Sequence, residues 1–208
     1  ERIQDERETI AYHEAGHAFI SHILTTTDSP IKVSTIPRAG GILGYSQSEP
    51  KNRKLYRKDE LYGDLATLMG GRASEETFFG QGNITTGAQD DIKKATSLVN
   101  SMYYKYSMGE KNKFLAHVDM TTGEVSPLLS QTEKSRLNTS ITSLQNKIYA
   151  ATMVQIRKHK DSLIRLAKHL LEYDTLTKED IETLIPDMEN SLTIPMFFQE
   201  IGWQIDKI

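Results

Sequence analysis

The sequence predicts a mainly α fold of the α+β kind, carrying one small β-sheet edge. Three observations predict it. Apolar residues recur at helical spacing through most of the chain, strand-like alternation is found mainly in residues 31–47, and glycine and proline clusters punctuate the helical stretches. No internal repeat or low-complexity tract competes with this reading.

In order, residues 5–24 read as a first helix, with Ala11, Ala15, Ala18 and Phe19 for its core face. Thr25-Thr26-Thr27-Asp28-Ser29-Pro30 ends it, because β-branched residues and proline continue a helix poorly. Residues 31–36 alternate as a half-buried strand, and Ile42 to Gln47 read as a second short strand. The glycines and prolines flanking that second strand mark it as an edge. Lys51 to Lys58 reads as a basic, solvated linker. Residues 59–69 form the next helix, which Gly70-Gly71 is expected to break before a further helical stretch over 72–79, the glycines letting that stretch pack close for core or catalytic reasons alike. A long helix follows Thr85-Thr86-Gly87, over residues 88–106. Residues 109–127 read as loop with a strand at 114–118. Helix dominates 131–171, where Ile141, Leu144, Ile148 and Ala151 keep the period, as do Leu163, Leu166 and Leu170. Thr177-Lys178-Glu179-Asp180 is a capping-box-like start for a last short helix through Leu184. The tail beyond Pro186 is apolar, with Met196, Phe197, Phe198, Ile201 and Trp203. Core or interface would explain it equally well.

Composition narrows the chemistry. The 208 residues carry a formal net charge of -3, so no basic field points to nucleic acid. There is no cysteine, which excludes disulfides, thiolate ligands and a cysteine nucleophile. No apolar run is long enough to cross a bilayer, and no signal peptide opens the chain. The chain starts at Glu1, not Met, inside charged helix, and we expect it to be a soluble piece of a longer protein.

The chemistry concentrates at His13-Glu14-Ala15-Gly16-His17. Histidines four apart on a helix share one face, so their nitrogens can converge on one zinc ion. Glu14 is rotated by about 100° from His13, beside the metal and not on it. There it can take a proton from water whose pKa zinc lowers to about 7. This is the H-E-x-x-H peptidase pattern, with Glu14 as general base. Ile20 and Ile23 stand where the metzincin extension needs glycine and histidine, so that class fails. His22 is rotated off the face of His17. A downstream carboxylate is left as the third ligand, since catalytic zinc takes three protein ligands and one open position.

In these motifs the chain resembles the peptidase domain of the FtsH-type AAA+ membrane proteases, over roughly residues 7–184. The resemblance rests on residues 11–18 with the H-E-x-x-H motif, Ile36-Pro37-Arg38 followed by Leu43-Gly44-Tyr45, Met69-Gly70-Gly71-Arg72-Ala73-Ser74-Glu75-Glu76, Thr85-Thr86-Gly87-Ala88-Gln89-Asp90-Asp91-Ile92, and Ala95-Thr96. It implies a zincin-like helical peptidase domain with the sheet edge at the zinc site and a C-terminal helical bundle. It implies one Zn2+ per chain, held by His13, His17 and a third ligand that carries over to Asp91. Asp90 stands where the family usually has Asn. Neighbouring helical residues point about 100° apart, so only one can face the metal, and Asp90 is the alternative. Glu75 carries over as the glutamate that supports the zinc site from behind, fitting the rule that a ligating histidine donates its other N–H to a carboxylate. Ile42, Leu43, Gly44 and Tyr45 carry over as the edge strand that grips extended substrate through its main chain.

The expected whole is a single metallopeptidase domain over 1–208, with a zinc-binding half (1–109), a helical half (110–185) and an apolar tail (186–208). Its expected reaction is hydrolysis of peptide bonds in unfolded or extracted proteins. The chain holds no G-x-x-x-x-G-K-[ST], so ATP would act only through a module outside it. The resemblance places that module and the membrane segments upstream. It implies a hexameric ring with the peptidase domain on the cytoplasmic or organelle-interior side of a membrane. Three rivals stay open: a catalytically silent scaffold of the same fold, a free-standing zinc peptidase, and a structural zinc module using His22 as fourth ligand.

Overall fold

The computed structural model describes residues 2–36, 45–47, 55–109, 117–118, 122–124, 126 and 129–204, with side chains described from residue 6 onward and outside 45–47. The fold is mainly α with one small antiparallel sheet. Helix α1 spans Arg2–Ile23 and α2 spans Lys58–Phe79. Helix α3 spans Gln89–Tyr104, α4 Gln131–Lys158 and α5 Lys160–Tyr173. Two short helices close the chain, α6 over Lys178–Leu184 and α7 over Ile194–Gln199. Strands β1 (Lys32–Ser34), β2 (Tyr45–Gln47) and β3 (Thr175–Thr177) form a sheet of order β2-β1-β3. Val33 pairs with Ser46 on one side and Leu176 on the other, both antiparallel. The sequence pattern reads β1 and β2 as strands but not β3. The third is only three residues long, too short to display a period.

The expected break at Gly70-Gly71 does not occur, because α2 runs unbroken through both residues. Glycine costs a helix about 1 kcal/mol relative to alanine, which is a penalty and not a stop. Packing accounts for the pair. A Cβ on Gly70 would come within 2.7 Å of the Gly16 carbonyl oxygen on α1. A side chain at any of these positions would therefore force α1 and α2 apart.

One core runs through the chain. It joins Ala15, Phe19 and Ile23 of α1 to Leu65 of α2, Leu144 and Ile148 of α4, and Leu166 and Leu170 of α5. The tail belongs to the same core. Phe197 and Phe198 are fully buried, and Phe198 packs edge-on against Tyr62 of α2 and Trp203. Of the two roles open to these residues, folding back as core is the one observed. Thr193 caps α7 by accepting the Met196 amide, with Pro195 in its first turn. The approach to α7 also finishes α1. Leu192 donates its amide to the Ile23 carbonyl and accepts from Thr25, at 2.9 and 3.0 Å, and Asn190 donates to the His22 carbonyl at 2.9 Å. These bonds satisfy carbonyls that a helix end leaves without a partner.

The capping box at Thr177 forms as read: its hydroxyl accepts the Asp180 amide and the Asp180 carboxylate accepts the Thr177 amide. The helical reading of 131–171 resolves into α4 and α5, which meet at His159. Of the strand read at 114–118, residues 114–116 lie outside the described residues, as do Ile42, Leu43 and Gly44.

Candidate metal centre

The site forms where α1, α2 and the start of α3 meet. His13 and His17 lie one turn apart on α1, and their Nε2 atoms stand 3.0 Å from each other. Asp91, in the first turn of α3, brings Oδ2 to 3.2 Å from His13 Nε2 and 3.1 Å from His17 Nε2. Among the described residues this trio is the cluster of histidine and acidic side chains with atoms placed for one ion. Asp90 faces outward and is exposed, so the structure brings Asp91 and not Asp90 to the histidines. His22 is buried elsewhere, its Nδ1 2.9 Å from the Ser29 hydroxyl, and is not part of the cluster.

The hydrogen bonds behind the rings set their tautomers. His13 Nδ1 donates to Glu75 Oε1 at 2.6 Å, and His17 Nδ1 donates to the Thr67 carbonyl at 2.7 Å. Both partners only accept. Each neutral ring therefore keeps its proton on Nδ1 and turns the lone pair of Nε2 toward Asp91. With both rings neutral, three acceptor atoms face one another at 3.0–3.2 Å, so the trio needs either a metal cation or a proton on one Nε2 between them. Tetrahedral ligands at about 2.0–2.1 Å from a zinc ion lie about 3.3 Å apart. The trio is within a few tenths of an ångström of that, and two imidazoles with a carboxylate suit the metal chemically.

Gly71 completes the cradle. A Cβ there would sit 2.5 Å from His13 Nε2 and 2.6 Å from His17 Nε2. Only a residue without a side chain lets α2 pass so close. The sequence reading of a break at Gly70-Gly71 is overturned by the unbroken helix, while its reading that the pair lets the helix pack close is what is observed. The Thr67 carbonyl had no signal, since a main-chain acceptor carries no residue identity.

Glu75 is fully buried on α2. Besides His13, it accepts the Thr85 amide at 2.7 Å and the Thr85 hydroxyl at 3.1 Å through its second oxygen. Arg72 donates to the Thr85 carbonyl at 2.8 Å. Thr85 in turn caps the 3-10 turn over Thr86–Ala88 that leads into α3, its hydroxyl accepting from Gly87. One carboxylate thus ties the first histidine to the loop that delivers Asp91.

Charge is arranged to match. Burial works against a charged His13, but hydrogen bonds to Asp91 and Glu75 and the nearby Glu14 raise it to about 9. Burial opposes charge on Asp91 too, yet the hydrogen bonds from His13 and His17 hold it far below the usual carboxylate range. The Glu75 carboxyl, also disfavoured by burial, is held below its ordinary value by His13 and the Thr85 amide. Glu14 goes the other way. Burial lifts its carboxyl above the ordinary value, against the pull of His17 and His13. A raised carboxyl is the better base. Tyr45, last of the four residues read as a substrate edge, opens β2 opposite Ser34, and β2 has β1 as its one neighbour among the described strands.

Residues 2–184 match Peptidase family M41. The chain is 33% identical over 196 residues to an ATP-dependent zinc metalloprotease FtsH of Syntrophobacter fumaroxidans, covering 90% of this chain and 30% of that protein. It is 37% identical over 183 residues to ATP-dependent zinc metalloprotease FtsH 2 of Sphaerobacter thermophilus, covering 86% and 27%. It is 34% identical over 182 residues to mitochondrial inner membrane m-AAA protease component AFG3L1 of Mus musculus, covering 86% and 23%. The chain therefore spans less than a third of the length of these relatives. No helix among the described residues is long and apolar enough to cross a membrane. A family match over most of the chain, with relatives above 30% identity, places this chain in Peptidase family M41.

Proposed function

We propose that this chain is a single zinc metalloendopeptidase domain that hydrolyses peptide bonds of unfolded polypeptides, holding one Zn2+ through His13, His17 and Asp91. The observation that carries the reading is the trio of lone-pair-bearing atoms at 3.0–3.2 Å, with both histidine Nδ1 protons committed elsewhere. When bound, zinc polarises the scissile carbonyl and makes water acidic enough to attack at neutral pH. Glu14 accepts the proton of the attacking water and passes it to the leaving amine, so the products are two shorter peptides and no covalent enzyme intermediate forms. Glu75 holds the His13 ring and its tautomer. The edge at Ile42, Leu43, Gly44 and Tyr45 receives extended substrate by main-chain pairing, which suits loose sequence preference.

By likeness to the relatives above, the domain serves as the proteolytic part of an ATP-dependent FtsH-type protease. ATP, a hexameric ring and membrane attachment then belong to segments outside these residues. The alternative is a catalytically silent scaffold of the same fold.

The test is cleavage of an unfolded labelled protein by the zinc-loaded chain, beside Glu14→Gln at matched zinc content. The expected result is cutting by the parent alone. Equal cutting by both would remove Glu14 as base. If both hold zinc and neither cuts, even after assembly with an ATPase module, the scaffold reading wins.

A further inference from the structure

Arg72 follows the cradle glycine directly on α2, and one of its guanidinium nitrogens donates to the Thr85 carbonyl at 2.8 Å. From the same helix, Glu75 accepts the Thr85 amide at 2.7 Å and the Thr85 hydroxyl at 3.1 Å. The amide and the carbonyl of one residue belong to two different peptide planes. Glu75 therefore holds the plane before Thr85, and Arg72 holds the plane after it. Only the two together fix the direction in which the chain leaves Thr85 for the turn over Thr86–Ala88.

That direction matters because burial anchors the segment weakly. Residues 81–87 are exposed apart from half-buried Ile84, and full burial resumes at Ala88. Further on, the body of α3 is held in the core through Ala95, Val99 and Met102. Asp91 lies between these anchors, in the first turn of α3, with Oδ2 at 3.1–3.2 Å from both Nε2 atoms. Exposed segments with few apolar contacts open at low free energy, so the bonds at their root govern where they lead. A second arginine offers a comparison. Tyr149 of α4 donates to Glu76, one turn beyond Arg72 on α2, at 2.6 Å, and Arg72 and Arg157 are both near enough to act on that hydroxyl. Arg72 reaches the Thr85 carbonyl, whereas Arg157 is exposed on α4.

We propose that Arg72 is a positioning residue for the metal centre: its hold on the Thr85 carbonyl sets the path of the turn into α3 and so brings Asp91 to the distance at which it and the two histidines share one cation. The inference rests on the metal reading above. Arg72 is not itself a ligand. One carbonyl needs one N–H brought within reach, which lysine can supply, methionine lacks and glutamine is too short to deliver.

The test compares Arg72→Met, Arg72→Gln and Arg72→Lys with the parent and with Arg157→Met. Zinc affinity, read by competition with a chelator, should fall about 10- to 100-fold in the methionine and glutamine variants, the usual cost of losing a group that supports a ligand. It should stay within about threefold of the parent in Arg72→Lys, which keeps a charged donor. Arg157→Met should stay within about twofold, as a surface charge change. The second readout is amide hydrogen exchange at saturating zinc. Exchange over residues 85–94 should quicken about tenfold in Arg72→Met, the worth of one hydrogen bond to a charged group, while residues 99–104 keep the parent's rate. Faster exchange spread evenly over the chain would overturn the proposal, because a residue serving stability alone loosens every helix. Parent-like zinc affinity in either neutral variant would overturn it too, and two such variants are made so that one still decides if the other does not fold. A parent without zinc affinity overturns the metal reading and the role of Arg72 together. A zinc-binding parent matched by Arg72→Met overturns the role of Arg72 alone.

Discussion

His13 and Glu75 meet at 2.6 Å in the interior, the imidazole Nδ1 donating to a carboxylate that is itself fully buried. The bond orients the ring, fixes its tautomer and makes Nε2 more basic. The second Glu75 oxygen also holds Thr85, at the turn leading to Asp91. Glu75→Gln keeps an acceptor but removes the charge, so zinc affinity should fall about 10- to 100-fold. Competition against a chelator of known affinity measures it. Unchanged affinity would reduce Glu75 to a packing residue.

Gly71→Ala separates helix stability from metal binding. Alanine favours the helix by about 1 kcal/mol, so circular dichroism should show α2 intact. The new methyl would sit 2.5 Å from His13 Nε2 and must displace the His13 ring. Zinc content after dialysis should fall to background while unfolding remains cooperative. Retained zinc would mean that α1 and α2 can separate without cost to the trio.

The two aspartates at the start of α3 should behave differently. Asp91 reaches both histidines, whereas Asp90 is exposed. Asp91→Asn should abolish zinc binding at micromolar metal, and Asp90→Asn should leave it within about twofold, a surface change of charge being worth little. Calorimetry on the two variants checks this. The reverse pattern would move the third ligand by one residue.

How far the sequence spoke for itself differs from element to element. That the two histidines share one helix face with Glu14 between them was readable because helical spacing is local. The choice between Asp90 and Asp91 needed the family pattern, since 100° of helix rotation depends on where α3 lies against α1. The break expected at Gly70 and Gly71 fails because glycine scores as a helix breaker locally, while the close packing they serve is set by distant neighbours, Gly16 for Gly70 and the His13 and His17 rings for Gly71. Strand β3 is three residues long and exists through pairing with β1, a contact no local pattern records. Phe197 and Phe198 announced burial but not their partner, because apolar residues carry no address.

His22 gives the pH dependence a sign. Burial pushes its pKa below the ordinary 6.5, against the opposing pull of Glu189 and Glu182. The native state then binds fewer protons here than the unfolded chain. The stability this neutral ring contributes is fully present above about pH 6.5 and is lost as pH falls through the folded value. Asn at this position keeps a polar group near Ser29 but cannot titrate. Urea unfolding of the zinc-loaded parent should lose stability from pH 7 to 5 more steeply than that of His22→Asn. Parallel slopes would show that His22 protonates equally in both states.

The tail offers the last prediction. Phe198 is fully buried, 5.8 Å from the Tyr62 ring and 4.4 Å from that of Trp203, with ring planes near perpendicular in both pairs. Lys147 of α4 lies over the Trp203 ring at 4.2 Å. Such edge-to-face pairs add to simple area burial. Phe198→Ala should cost about 3–5 kcal/mol by denaturant unfolding, the range for a buried aromatic truncated to alanine. Lys147→Met, which keeps the stem and drops the charge, should cost about 1 kcal/mol or less. The metal trio lies on α1 and α3, away from Phe198, so zinc affinity of the folded Phe198→Ala chain should match the parent. A cost below about 1 kcal/mol would return residues 194–203 to the surface and reopen them as a docking segment. A loss of zinc affinity at full foldedness would instead tie the tail to the metal site through α1 or α2, which both meet the tail and the site.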